Sequence, residues 1–410
     1  MKKLSNFDWI IIIILFGVSV LIDDARSSLK KLKVKKITLL FIFLAFFLLS
    51  SFALTGQTRG QVSPYPVKST AYWTKPTLSL SEAQSLARHD FLIVDLENKF
   101  NNYQVLQALK EMNPKLKLLA YSNPMEIHLI KYGDRPWQNR IIDEIVTTRT
   151  AWLLKTIAPI NYEGFIATWV AKIMGDPDRK EDYAKFWSGM LMLNMSATCP
   201  RIDGQNYEEW MAQKLNREVL NDPIWDGYFQ DNGTGNISWT HPGQIDIDGN
   251  QEADNDALVD KNWKEGMTNF ILQIKKAKPA QFIIITNKGS LDFLNITSGK
   301  WFENFPNDYL GEKWANGWRQ CFENAKKMGP YTVFQGNRSN VNFVLATTLL
   351  LDNVYLAISQ DDSGIFPELE IETGRPLGRY ENKNGIYYRE YEKVSVMVDP
   401  LKQVGKITKK

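Results

Sequence analysis

The chain is short of the residues that build the commonest metal and nucleophile sites. Its three histidines, His89, His128 and His241, are scattered over 410 residues. No H-E-x-x-H occurs, so catalytic zinc has no recognisable ligand set. Cysteine is just as scarce: Cys199 and Cys321 cannot form a metal cluster by themselves. They fit one disulfide in an oxidising compartment or two buried thiols. No G-x-S-x-G elbow is present, which leaves serine-esterase chemistry unsupported. No G-x-G-x-x-G or P-loop speaks for a dinucleotide or a nucleoside triphosphate. The net charge is only +3, and no surface pattern of interleaved basic and aromatic residues points to nucleic acid.

Long apolar runs occur at the start, over residues 9–22 and 37–54, on either side of the basic block Lys30-Lys-Leu-Lys-Val-Lys-Lys36. Basic flank, apolar stretch and the small-x-small sequence Ser51-Phe-Ala53 have the form of an export signal. The second run is also long enough for an uncleaved anchor, since a span needs about 17–25 residues. Either way the basic block stays cytoplasmic, and the rest of the chain is expected outside, secreted or held to the membrane by this segment. Residues 1–56 therefore stand apart from the fold, and 57–88 read as linker and strap.

From there apolar strand-like runs alternate with helical spacing. About eight such runs, mostly separated by helices, predict an α/β fold of the (β/α)8 TIM-barrel type over 89–365. A small antiparallel β extension is expected over 366–410. Phe91-Leu-Ile-Val-Asp-Leu-Glu97 ends in Asp95 and Glu97, and Lys117-Leu-Leu-Ala-Tyr-Ser-Asn123 ends in Tyr121 and Asn123. Gly189-Met-Leu-Met-Leu-Asn-Met195 reads as a third strand with Asn194 near its edge. The runs at 281–287 and 331–337 end in Asn287 and in Gln335 and Asn337. An open doubly wound sheet is the alternative, without a nucleotide motif to support it.

One stretch organises the rest. Asp226-Gly-Tyr-Phe-Gln-Asp231 is a β-favouring run that stops at Asp-Asn-Gly. Parallel strands carry reactive groups at such C-terminal edges, so Asp231 and Asn232 are placed at a site. A turn capped by its own side chains would look the same. Two β/α units later Gly299-Lys-Trp-Phe-Glu303 ends in Glu303. A carboxylate pair on one rim is what glycoside hydrolysis requires, one as nucleophile or base and one as proton donor. Apolar walls keep a donor protonated; Trp301, Phe302 and Phe305 surround Glu303 in sequence. Asp95, Glu97, Tyr121, Asn194, Asn232, Asn287, Gln335 and Asn337 are then candidate partners for sugar hydroxyls, and Trp239 and Trp301 candidate stacking faces.

Asp246-Ile-Asp-Gly-Asn-Gln-Glu-Ala-Asp254 has alternating oxygen ligands, Asp246, Asp248, Asn250 and Asp254, as in the first part of a calcium loop. Its glycine sits at position 4 rather than 6, and no glutamate occupies position 12. A structural calcium ion and a solvated acidic loop capping the next helix are both consistent with it. No other cofactor is expected.

The order of Asp226-Gly-Tyr-Phe-Gln-Asp-Asn232, Gln244-Ile-Asp-Ile-Asp-Gly-Asn250, Asn262-Trp-Lys-Glu-Gly-Met267, Trp301-Phe-Glu-Asn-Phe-Pro306 and the tail from Tyr388-Arg-Glu-Tyr391 to Pro400 resembles bacterial TIM-barrel glycoside hydrolases of the hypothetical glycosyl hydrolase fifteen type. These are similar to α-galactosidase and polygalactosaminidase barrels. The resemblance covers roughly residues 91–400. It implies a nucleophilic Asp ending strand 4, where Asp231 falls, and an acid/base Asp ending strand 6. Glu303 falls near the latter but is one methylene longer. The resulting expectation is an exported glycosidase acting on a polysaccharide or oligosaccharide, with a retaining carboxylate pair. Rivals are a non-catalytic carbohydrate-binding barrel of the cell envelope and, more weakly, a lyase.

Overall fold

A computed structural model describes residues 61–157, 160, 167, 170, 182–306, 314–359 and 366–410. The apolar runs expected to direct export lie outside these residues. No described helix is long and apolar enough to cross a membrane.

Eight parallel strands form one sheet in sequence order: β1 (Thr70–Trp73), β2 (Phe91–Asp95), β3 (Lys117–Ser122), β4 (Gly227–Gln230), β5 (Ile283–Asn287), β6 (Gly299–Phe302), β7 (Thr332–Gly336) and β8 (Val354–Ile358). A parallel bridge between Ser69 and Leu356 brings the last strand back beside the first, with the Leu356 amide donating to the Lys68 carbonyl at 3.0 Å. The sheet is thus a nearly closed barrel. Alternation along each strand sorts the side chains into two layers. Phe91, Ile93, Leu119, Phe229, Ile283, Ile285, Trp301 and Val333 fill the interior. Their neighbours Leu92, Val94, Leu118, Ala120, Tyr228 and Ile284 join the core packed outside the strands. Burial on both faces is why these strands read as unbroken apolar runs.

The connecting helices follow local signals. α1 (Leu80–Leu86) starts at Ser79, whose hydroxyl and Glu82 make a reciprocal capping box. α2 (Tyr103–Met112) buries Leu106, Leu109 and Met112. α3 (Pro136–Thr148) begins at a proline, whose fixed φ suits a first turn. α4 (Tyr207–Lys214) is capped by Asn206 and Glu209. α5 (Asp256–Lys276) buries Trp263, Met267, Phe270, Ile271 and Ile274 along one stripe, each contributing about 1.5–3 kcal/mol. It passes so close to the 195–197 segment that a Cβ on Gly266 would lie 1.9 Å from the Met195 carbonyl oxygen. Gly266→Ala would force the two apart. α6 (Trp314–Ala325) and α7 (Val341–Leu349) complete the ring.

Two strand assignments change. The stretch read as strap supplies β1, where Ala71 and Tyr72 pair with Leu92 and Ile93. Conversely Met190–Met192 is no barrel strand; it pairs antiparallel with Glu126–His128 in a side hairpin. Both errors arise because three or four apolar residues carry too little periodicity to say which sheet they join. After the barrel, β9 (Glu381–Lys383), β10 (Ile386–Glu390), β11 (Val394–Asp399) and β12 (Val404–Lys409) form the expected antiparallel sheet. Cys199 and Cys321 are both buried thiols. Burial pushes the Cys199 thiol up to about 12.

Candidate active site

Three neighbouring strands end in the three residues that build the centre. Asp231 follows β4, Asn287 ends β5 and Glu303 follows β6. After each of them the chain turns through a left-handed residue: Asn232 at φ 52°, Lys288 at φ 82° and Asn304 at φ 52°. Asparagine tolerates this conformation better than most residues because its short amide can bond locally. Lysine does not, so Lys288 marks backbone strain at the rim.

The Asn287 side-chain nitrogen donates to both carboxylates, at 2.8 Å to Asp231 Oδ1 and 3.0 Å to Glu303 Oε2. Two oxygens tied to one nitrogen cannot be farther apart than the sum of those two distances. Asp231 is further fixed by the Tyr121 hydroxyl at 2.8 Å on Oδ2 and by the Asn232 amide at 2.8 Å on Oδ1. Tyr121 is hydrogen-bonded in turn to Tyr72, and burial together with Asp231 holds both phenols well above their usual pKa. Both therefore remain protonated donors near neutral pH. Trp301 lies beneath the pair, 1% exposed, with its indole nitrogen donating to Gln335 at 3.2 Å and its ring against Tyr72 and Phe229. It is a wall of the barrel interior and offers no free stacking face, unlike the expectation from sequence.

Two cavities open at this rim; Glu303 lines one, and Tyr121, the donor to Asp231, lines the other. One, of about 480 Å³, is lined by Asp95, Glu97, Tyr121, Glu126, Tyr132 and Arg135 among others. The second, of about 420 Å³, is lined by Tyr72, Glu303, Asn304 and Gln335 among others. Asp95 is held by Arg135 at 2.9 Å; burial raises its pKa and the guanidinium opposes the rise. Glu97 accepts the backbone amides of Trp137 and Gln138 at 3.0 and 2.7 Å, capping α3. Burial raises its pKa as well.

Other predicted site residues fall elsewhere. Asn194 is buried, donates to the Ile247 carbonyl at 2.7 Å and accepts from Ser196. Asn337 accepts from Ser339, and its backbone amide donates to Asn340. Each of these two sets a turn. Asp246, Asp248 and Asp254 bring one oxygen each to within 4.8 Å of one another. Asp246 there accepts the amides of Gly249, Asn250 and Gln251, and Asp254 that of Ile247. Asn250 accepts the Glu252 amide.

Sequence reasoning missed Glu126 and Tyr72. Glu126 is buried in the side hairpin. Its Oε2 accepts from Asn123 at 2.8 Å and from Asn232 at 3.0 Å, and its Oε1 from the Trp187 amide at 3.3 Å. Burial raises its carboxyl to about 7, with a smaller upward push from Asp231. The signal was its place four residues after the end of β3, on a rim loop. Tyr72 was legible as one of the aromatics in Thr70-Ala-Tyr-Trp73.

A nearly closed parallel barrel with carboxylates at its C-terminal rim is an architecture that glycoside hydrolases use. The chain belongs to the family described as hypothetical glycosyl hydrolase family 15, which it matches over residues 110–395. It is a glycoside hydrolase. Among solved structures it is similar in fold to a noncanonic maltogenic α-amylase from Thermotoga neapolitana, at 10% identity, TM-score 0.44, covering 82% of this chain and 86% of that one. An Eubacterium rectale protein, Amy13B, aligns at 10% identity, TM-score 0.45, covering 82% and 87%. A Flavobacterium johnsoniae dextranase aligns at 12% identity, TM-score 0.44, covering 76% of this chain and 39% of its own. None of the curated proteins matches the chain.

Proposed function

We propose that the protein hydrolyses a polysaccharide or oligosaccharide with retention of configuration, Asp231 attacking the anomeric carbon and Glu303 protonating the leaving oxygen. The reading is carried by the Asn287 amide that bonds both carboxylates. It brings one oxygen of each carboxylate onto the same nitrogen, an approach that favours the about 5–5.5 Å carboxyl separation of retaining enzymes over the about 6.5–9.5 Å of inverting ones. Asp231, oriented by Tyr121, Asn287 and Asn232, forms the glycosyl ester. Glu303 gives its proton to the departing sugar and then takes one from the incoming water. The anomer released first, read by proton NMR before mutarotation, tests this. An inverted product would overturn the nucleophilic role of Asp231.

A second assignment of the proton donor rests on Glu126, whose carboxyl sits at about 7. The true donor is replaceable when the leaving group needs no proton. Glu303→Gln should lose natural substrates yet keep most of its rate on dinitrophenyl glycosides; if Glu126→Gln does so instead, the roles pass to Glu126.

The same proposal places the barrel outside the cytoplasm, directed by residues 1–56, and gives the 246–254 loop a structural calcium ion. Cell fractionation and a calcium-dependent rise in melting temperature test these two points.

A further inference from the structure

Two tryptophans stand open to solvent beside the pair, and the catalytic chemistry uses neither. Trp187 is 56% exposed and Trp239 46%. Both rings lean edge-on against Phe186, with centroids 5.0 and 5.1 Å from its own. Phe186 is packed against the main core, so one anchored ring sets the position of both tryptophans. Each is also tied to a residue that follows the site. The Trp187 amide donates to Glu126, whose other oxygen accepts from Asn232, next to Asp231. The Lys288 ammonium, next to Asn287, lies 5.3 Å from the centre of the Trp239 ring and 3.3 Å from the Thr234 hydroxyl.

We propose that Trp187, Phe186 and Trp239 form a platform for a glycan chain that continues from the catalytic pair, so that the enzyme binds several sugar units at once and acts on polymers. This rests on the glycosidase reading. Pyranose rings present flat C–H faces to aromatic rings and hydroxyls at their edges. Trp187 and Trp239 offer such ring surfaces, and the Lys288 ammonium over the Trp239 ring offers a polar group. Two tryptophans separated by a wedged phenylalanine suit successive sugar rings better than the continuous apolar surface a protein partner needs. Continuity with Asp231 through Glu126 and Asn232, and with Asn287 through Lys288, argues for substrate as the occupant.

Binding is read in native gels containing soluble starch, dextran, galactan or chitosan, with Asp231→Asn so that turnover does not intervene. Retardation by at least one polymer is expected, with the affinity falling about tenfold in Trp187→Ala or Trp239→Ala. Trp187→Tyr should restore most of it, which separates stacking from misfolding. In the active enzyme the loss should appear in KM and grow with oligosaccharide length. An equal loss at every length, no change on either substitution, or retardation by none of the polymers would overturn the platform. So would a change of oligomeric state in the variants, which would make the patch a contact between copies of the chain. Polymer binding that depends on the tryptophans, with no reducing ends released by the wild type, would sink the hydrolase reading and leave the platform standing.

Discussion

The protein holds two clusters of carboxylates that look equally promising in sequence, and their surroundings separate them. At the barrel rim Asp231 and Glu303 come from different strands and are bonded by the side chains of Asn287 and Tyr121, which reach them from elsewhere in the fold. In the 246–254 loop Asp246, Asp248 and Asp254 accept backbone amides from their own immediate neighbours. Long-range side-chain donors fix an acid's orientation independently of its own loop, which is preorganisation for chemistry. Local amide donors build the loop itself, as an Asx turn does. A run of acidic residues therefore says less about function than the origin of the donors that meet them.

The sharpest way to break this comparison is to neutralise one member of the rim pair. Asp231→Asn keeps the shape and removes the nucleophile, so kcat should fall by several orders of magnitude while glycan binding persists. Wild-type turnover would end the assignment. Next in size is Asn287. Without its amide the two acids lose their common donor, and Asn287→Ala should cost about 10²–10³-fold in kcat, the scale for deleting one preorganised donor. Asn287→Asp should be worse, because it sets a third carboxylate between two others. If both variants kept wild-type kcat with a folded barrel, the shared donor would be incidental.

Most of the barrel was legible because strands buried on both faces are written as plain apolar runs, Phe91-Leu-Ile-Val and Ile283-Ile-Ile among them. Asp231, Asn287 and Glu303 lie at the polar ends of three such strands. What sequence could not supply was direction. Trp301 lies on a strand whose alternate side chains point into the barrel, so it packs inside instead of facing sugar. Asn194 and Asn337 have the right chemistry on the wrong turns. Glu126 had only its place just past β3 to mark it, because its strand, Glu126–His128, is three residues long and pairs outside the barrel, a long-range fact with no local periodicity.

On the outer face of the barrel the comparison extends to a charge with no acceptor. Lys300 on β6 is fully buried, and its ammonium nitrogen has no hydrogen-bond partner among the described residues. Asp292, an opposite charge acting on it, is engaged by Lys264 and Ser290. Burial pushes the Lys300 pKa down to about 7. The unfolded chain then binds one more proton than the folded one between about pH 7 and the usual lysine range. Stability from this group rises with pH across that window and levels off below it. Lys300→Met should raise stability by up to several kcal/mol at neutral pH and below, and flatten the rise. Urea unfolding at two pH values on either side of 8 checks this. An unchanged slope would mean that the amine has a partner or escapes to water.

The smallest effect is expected in the acidic loop. Asp246→Asn turns one acceptor oxygen into an NH2 group facing amides that also donate, at a cost of about 1–3 kcal/mol, with kcat nearly unchanged. The loop also decides how far its carboxylates differ from those of the rim. If a cation sits there, millimolar calcium raises the melting temperature of the wild type and not of Asp246→Asn, since only the folded loop gathers the ligands. If calcium moves neither, backbone amides alone satisfy the three acids, and the loop is a cap on α5. A fall in kcat on Asp246→Asn comparable to that of Asn287→Ala would erase the distinction, because it would couple a locally bonded loop to the reacting atoms.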